Sequence, residues 1–90
     1  MTTAVSKVGG GEVVFTAAAA DRCGSWAWSL SGPVAYYRSG GTASTCIDAD
    51  HSWDTRWNTD LTLPDGTYTV TLTIANTAGS TSGTRSFTMP

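Results

Sequence analysis

From Thr67 to Ala75, apolar and hydroxyl side chains alternate with almost no break. Tyr68, Val70, Leu72 and Ile74 fall on one side, and Thr67, Thr69, Thr71 and Thr73 on the other. A period of two marks an extended strand with one face in a core and one in water. A helix would scatter both sets around its axis. Such a strand is not stable alone: its apolar side needs a second apolar surface, and its edges need hydrogen-bonding neighbours. Ser25–Ser31 repeats the pattern, with Trp26, Trp28 and Leu30 alternating with Ser25, Ala27 and Ser29. The expectation is that these two apolar faces close on each other and exclude water.

The rest of the chain reads as further strands at regular intervals. They are expected near Ala4–Val8, over Glu12–Ala19, over Val34–Arg38, as a short edge strand over Ala43–Ile47, over Thr55–Leu63 and over Thr81–Met89, where Phe87 and Met89 face inward. Gly9-Gly10-Gly11, Gly32-Pro33, Gly40-Gly41, Pro64-Asp65-Gly66 and Asn76–Ser80 punctuate them. Ala17–Ala20 favours a helix by composition, but it continues the β-branched run Glu12–Thr16 and ends at Asp21, so it reads as a strand end. No stretch carries apolar residues at helical spacing for three turns. Ninety residues without an internal repeat or linker make one domain, 1–90.

Charge is sparse, at 13% of residues and a net −2. Lys7, Arg22, Arg38, Arg56 and Arg85 are scattered, so no basic cluster tracks a phosphate backbone, and nucleic acid is not an expected partner. No apolar run approaches the ~20 residues of a membrane span. The first residues, Met1–Lys7, lack the apolar centre of a signal peptide. The chain therefore reads as an excised domain, or as a small protein that reaches its site without a signal, as a virion component would. Cys23 and Cys46 are the only cysteines, and in a Thr-rich domain they suggest one disulfide and an oxidising compartment. Closing a loop of this length contributes about 3 kcal/mol in the chain-entropy description.

Asp65-Gly66-Thr67-Tyr68-Thr69-Val70 resembles the tyrosine corner of immunoglobulin-like sandwiches, where a Tyr near the start of the penultimate strand bonds back to the preceding turn. Val70 stands where antibody domains carry a Cys, so the antibody inter-sheet disulfide is absent. Glu12–Ala17, Ala20-Asp21, Gly32-Pro33-Val34, Trp57-Asn58-Thr59, Leu63–Val70 and Ala75–Gly79 together resemble the bacterial Ig-like domains found in tandem on secreted and surface proteins. The C-terminal half is also similar to PKD-type domains, without their Trp-Asp-Phe-Gly-Asp-Gly pattern. The resemblance implies an antiparallel Ig-like β-sandwich of about seven strands in a Greek key. It also implies a core role for Trp57. Such domains act as spacers, adhesins and accessory modules, so the resemblance speaks for fold more than for function.

Candidate sites follow from residue chemistry. Trp26 and Trp28 suit a sugar-stacking platform, but Leu30 continues their face, so a core role is preferred. Tyr36 and Tyr37 point to opposite faces of a short strand, so one is expected outside. With Trp57 in the core, Trp53 becomes the better surface aromatic, and Trp53, His51 and a tyrosine from Tyr36-Tyr37 form the expected binding patch. Asp48, Asp50 and Asp54 place hard oxygen ligands in one polar loop at a spacing that admits Ca²⁺, although the glycine and bidentate Glu of an EF-hand loop are missing. No cofactor is otherwise expected. His51 is the only histidine, and no nucleophile or phosphate-binding motif is present, so the chain is not expected to be an enzyme. Lys7, Asn76 and Glu12 raise a Lys–Asn amide cross-link, which requires all three to be buried together. Thr67–Thr73 alone is one row of threonines, read as a solvated sheet face.

These features point to a non-enzymatic module of a secreted, cell-surface or virion-surface protein, contacting neighbouring domains or subunits of a larger assembly. The alternative is a carbohydrate-binding accessory domain that engages polysaccharide through exposed aromatics.

Overall fold

The computed structural model describes residues 1–9, 11–18, 22–47, 50–55 and 62–90, with Asp50 described by its backbone alone. These residues form nine strands: β1 (Thr2–Gly9), β2 (Glu12–Ala18), β3 (Arg22–Cys23), β4 (Ser25–Ser31), β5 (Tyr36–Gly40), β6 (Cys46–Ile47), β7 (Asp50–Asp54), β8 (Gly66–Asn76) and β9 (Gly79–Met89). No α-helix occurs among the described residues. All pairings are antiparallel. One sheet has the order β1-β2-β7, a second β5-β4-β8-β9, and β3 and β6 make a two-residue ladder at one end.

The two larger sheets share one apolar core in a sandwich-like arrangement. Val13, Phe15, Ala17 and Trp53 come from the three-stranded sheet; Trp28, Leu30, Tyr68, Val70, Leu72, Ile74 and Met89 come from the four-stranded one. Phe15 joins the layers. Its ring centroid lies 5.5 Å from Trp53 in its own sheet and 6.2 and 5.6 Å from Trp28 and Phe87 in the other. Tilted aromatic contacts at this range add to the burial of apolar area.

The alternating strands form where the sequence places them, but their partners differ from expectation. β4 and β8 lie side by side in one sheet, with Trp28 opposite Leu72 and Leu30 opposite Val70. Trp26-Trp28-Leu30 and Tyr68-Val70-Leu72-Ile74 therefore form one continuous apolar face. The surface that closes on it comes from β1, β2 and β7. Two alternating strands joined by antiparallel hydrogen bonds must present their apolar rows on the same side.

The third strand of the smaller sheet was not anticipated from the sequence. It is Asp50–Asp54, with Phe15 pairing with Trp53 and Thr16 with Ser52; residues 56–61 of the strand expected over Thr55–Leu63 lie outside the described residues. Trp53 thus alternates into the core at 2% exposure, which overturns its assignment as a surface aromatic. Thr55 ends this strand. Its buried hydroxyl accepts from Val13 N at 2.7 Å and donates to Val13 O at 2.8 Å, replacing the next rung of the ladder. The expected core residue Trp57 lies outside the described residues. Leu63 is buried without belonging to a strand.

Smaller boundaries shift for local reasons. β5 starts at Tyr36, two residues later than expected, after Gly32-Pro33. The edge strand expected over Ala43–Ile47 contracts to β6, and Asn76 pairs with Gly79 so that only Thr77 and Ala78 form the hairpin turn. There the Asn76 side chain accepts from Ala78 N at 2.8 Å, a turn-making contact typical of Asn. The Tyr68 hydroxyl donates to Pro64 O at 2.6 Å, tying the start of β8 to the preceding turn beside Asp65 and Gly66. Burial first, and then the neighbouring Asp65 and Tyr36, raise the pKa of that hydroxyl.

Cys23 and Cys46 are disulfide-bonded and stand directly opposite each other in the β3–β6 ladder. Gly24, at positive φ, follows: a Cβ there would collide with the Ala75 carbonyl, so this close approach of β8 requires glycine. At the open side between β1 and β9, Gly83 plays a similar part, because a Cβ would lie 2.8 Å from the Thr3 side chain. Lys7 donates to the carbonyls of Thr88 and Pro90 across the same seam. Asn76 instead donates to Cys23 O at 2.8 Å, at the opposite end of β8. The Lys7–Asn76 cross-link with Glu12 is therefore ruled out by distance.

Two stability outcomes follow. Trp53→Ala removes a core ring and should lower the unfolding free energy by about 3–5 kcal/mol, while Tyr37→Ala, at an exposed position, should change it by no more than about 0.5 kcal/mol; urea denaturation compares them. Replacing both cysteines by serine opens a crosslink of sequence separation 23 and should cost about 3 kcal/mol, seen as a lower urea midpoint under non-reducing conditions.

Candidate functional site

The outward row of each strand in the four-stranded sheet is set by the inward one. β9 contributes Ser80, Ser82, Thr84, Ser86 and Thr88; β8 contributes Thr67, Thr69, Thr71, Thr73 and Ala75; β4 contributes Ser25, Ala27, Ser29 and Ser31; β5 contributes Tyr37 and Ser39. Not one of these residues is charged. Hydroxyls bond across the β8–β9 boundary, Thr67 to Thr88 at 3.4 Å, Thr69 to Ser86 at 3.3 Å, Thr71 to Thr84 at 3.1 Å and Thr73 to Ser82 at 3.5 Å. Each hydroxyl both donates and accepts, so the ladder meets part of its own hydrogen-bonding need and presents the remainder to solvent.

The threonines of β8 alone made one row. The short turn at Thr77-Ala78 sets the register that places the serines and threonines of β9 beside them, and so converts a row into a two-dimensional surface. The signal was present in the alternation of Ser80, Ser82, Thr84, Ser86 and Thr88, which extends the Thr67–Thr73 pattern into the next strand.

The surface has relief because its outward β4 side chains are small. Ala27 and Ser25 form the floor of a groove of about 450 Å³, with Tyr37 and Ser39 on one side and Thr73 and Ala75 on the other. Tyr37 is 69% exposed; among the described residues it and Val8 are the exposed large apolar side chains. At one end, Gly40 and Gly41 let the Trp26 indole pack directly against their backbone: a Cβ at either position would lie 2.7 or 2.9 Å from that ring. A second hollow, of about 350 Å³, shares Ser25 and Ala75 and extends toward Ala43, Asn76 and Thr77.

The expected patch of Trp53, His51 and a tyrosine does not assemble on the surface. Trp53 is in the core. His51, on the same side of β7, turns inward against the indoles of Trp26, at 4.7 Å, and Trp28, stacked at 6.1 Å and 13°. Tyr36 is half-buried against the core, and Tyr37 alone of the pair faces out. Among the expected acidic ligands, Asp48 lies outside the described residues. Asp50 and Asp54 belong to a strand rather than a loop, because backbone pairing with β2 extends this segment. Four residues of extended chain hold their Cα atoms about 13 Å apart. Among the described residues, no three His, Cys, Asp or Glu side chains gather where they could hold a metal ion.

The environment of His51 lowers its pKa below 6.5, through burial first and the Arg38 guanidinium second. The unfolded chain then takes up the proton before the folded one. The contribution of neutral His51 is fully present above about pH 6.5 and is lost as pH falls through the lower folded value. The urea midpoint should therefore decline between pH 7 and 5, and His51→Phe, which keeps a ring against Trp28, should flatten that decline. Comparison with protein-family models, with curated proteins and with solved structures finds no match, so the site is read from its own chemistry.

Proposed function

We propose that this chain is a non-catalytic immunoglobulin-like module that presents the outer face of its four-stranded sheet to a neighbouring component of an extracellular or surface assembly. The observation that carries this reading is the composition of that face: hydroxyls and one exposed tyrosine, with no charge, across four strands. A surface left to solvation alone usually mixes charges of both signs. Here Glu12 and Asp54 lie on the other sheet, opposite Gly9 and Val14, and Lys7, Arg38 and Arg85 sit on edge strands.

Three further features support the reading. The orders β1-β2-β7 and β5-β4-β8-β9 suit Ig-like connectivity, with the Tyr68–Pro64 bond as the tyrosine corner. A Cys23–Cys46 disulfide suits an oxidising compartment, and no described helix is long and apolar enough to cross a membrane. His51, the single histidine, is held between two indoles rather than beside a nucleophile.

Photo-crosslinking amino acids placed at Thr84 and Ser86, and on the other sheet at Ala4 and Ser6, test the proposal in the native assembly. Adducts should form from Thr84 and Ser86 and be absent from Ala4 and Ser6. Equal labelling from both faces, or none from Thr84 and Ser86, would overturn it.

A further inference from the structure

The geometry points to a neutral oligosaccharide as the ligand of the groove between Tyr37 and Thr73. This inference rests on the presentation reading and names what one part of the presented face holds. Four observations converge on that chemistry.

First, neither hollow has a charged lining residue, and the two share Ser25 and Ala75, making one track across β5, β4 and β8. An anionic ligand would find no counter-charge there, and a cationic one no carboxylate. Second, the main hollow, at about 450 Å³, falls within the few-hundred-Å³ range of small-ligand sites. Its shape follows from the small outward side chains of Ser25 and Ala27 on a central strand flanked by larger neighbours.

Third, the groove has an exposed aromatic wall. Tyr37 stands mostly in water, which wastes apolar area unless a partner covers it. The C–H face of a sugar ring is apolar and suits such rings, while its rim is a circle of hydroxyls. Fourth, the polar groups at hand are hydroxyls. Ser25, Ser39 and Thr73 line the groove, and each can donate or accept as a sugar rim requires. A peptide would instead seek unpaired backbone, and the groove crosses paired strands whose ladder groups are already used. A linear chain of sugars running from Tyr37 toward Asn76 fits the track.

The test uses the intact, disulfide-bonded domain. Cellohexaose, xylohexaose, mannohexaose and maltohexaose are titrated by calorimetry, with tryptophan emission followed in parallel, and a hexagalacturonate serves as the anionic comparison. At least one neutral hexasaccharide should bind saturably and shift the emission, with the anionic one silent. Tyr37→Ala and Ser39→Arg, both at exposed positions, should weaken binding at least tenfold while the circular dichroism spectrum stays that of the parent; Ser6→Ala on the other sheet should bind as the parent does.

No binding by any neutral member, binding undiminished by both groove variants, or equal binding of the anionic chain would each overturn the inference. So would concentration-dependent self-association abolished by Tyr37→Ala, which would assign the groove to a second copy. Cross-links at Thr84 and Ser86 without glycan binding would sink this inference alone; loss of both results would sink the presentation reading with it.

Discussion

The ring of Phe15 against Trp28, Trp53 and Phe87 is the contact on which the molecule depends. In a chain of 90 residues only about 60–65% of the unfolded surface is buried, so few side chains carry the core. Phe15 touches large rings in both layers. Its inward position also decides what lies outside. In a strand the parity of one residue sets the parity of all, and a one-residue slip would exchange core and surface rows. With Trp28 and Leu72 facing Phe15, the serines of β4 and the threonines of β8 have no choice but to face water together.

The legible part of the fold was the part where burial and composition agree. Tyr68–Ile74 and Trp26–Leu30 alternate cleanly because each has one wet and one dry side, and both form the expected strands. The sequence could not say whether the two strands face each other or lie side by side, since alternation specifies a face and not a neighbour. Trp53 shows a second limit. Asp-His-Ser-Trp-Asp has little intrinsic preference for a strand, yet pairing with β2 makes it one, because strand formation is set largely by neighbouring context. Once Asp50–Asp54 is extended, the aromatic patch and the acidic loop dissolve together, since both assumed a loop there. What the sequence held but did not announce was the hydroxyl surface. Its rows are distant in the chain and become one surface only through the β8–β9 and β4–β8 registers.

The edges of the two sheets explain why a flat, uncharged surface need not lead to stacking through strand addition. Each larger sheet ends on a strand that carries a charge: Lys7 on β1, Asp54 on β7, Arg38 on β5 and Arg85 on β9. Charges on edge strands are a common means of discouraging edge-to-edge pairing. Lys7 does more, since its donation to Thr88 and Pro90 carbonyls spans the seam between β1 and β9, where Gly83 lets Thr3 approach. Charges at these positions oppose association through the sheet edges.

Neutrality on that face also has a structural side. Hydroxyl groups solvate a sheet without the long flexible stems of Lys, Arg or Glu, so the relief stays shallow and its shape is set by the backbone and by small side chains. The Thr–Ser ladder between β8 and β9 holds those hydroxyls in place by bonding them to each other. Against this low and ordered ground, Tyr37 is the side chain that offers a large exposed apolar area. A charged residue in the same rows would keep the sheet soluble equally well, but it would fill the trough over Ala27 and impose a desolvation cost on any uncharged partner. The small β4 residues, the hydroxyl ladder and the exposed tyrosine therefore act as one arrangement: the first creates space, the second keeps it polar without charge, and the third adds an open aromatic face.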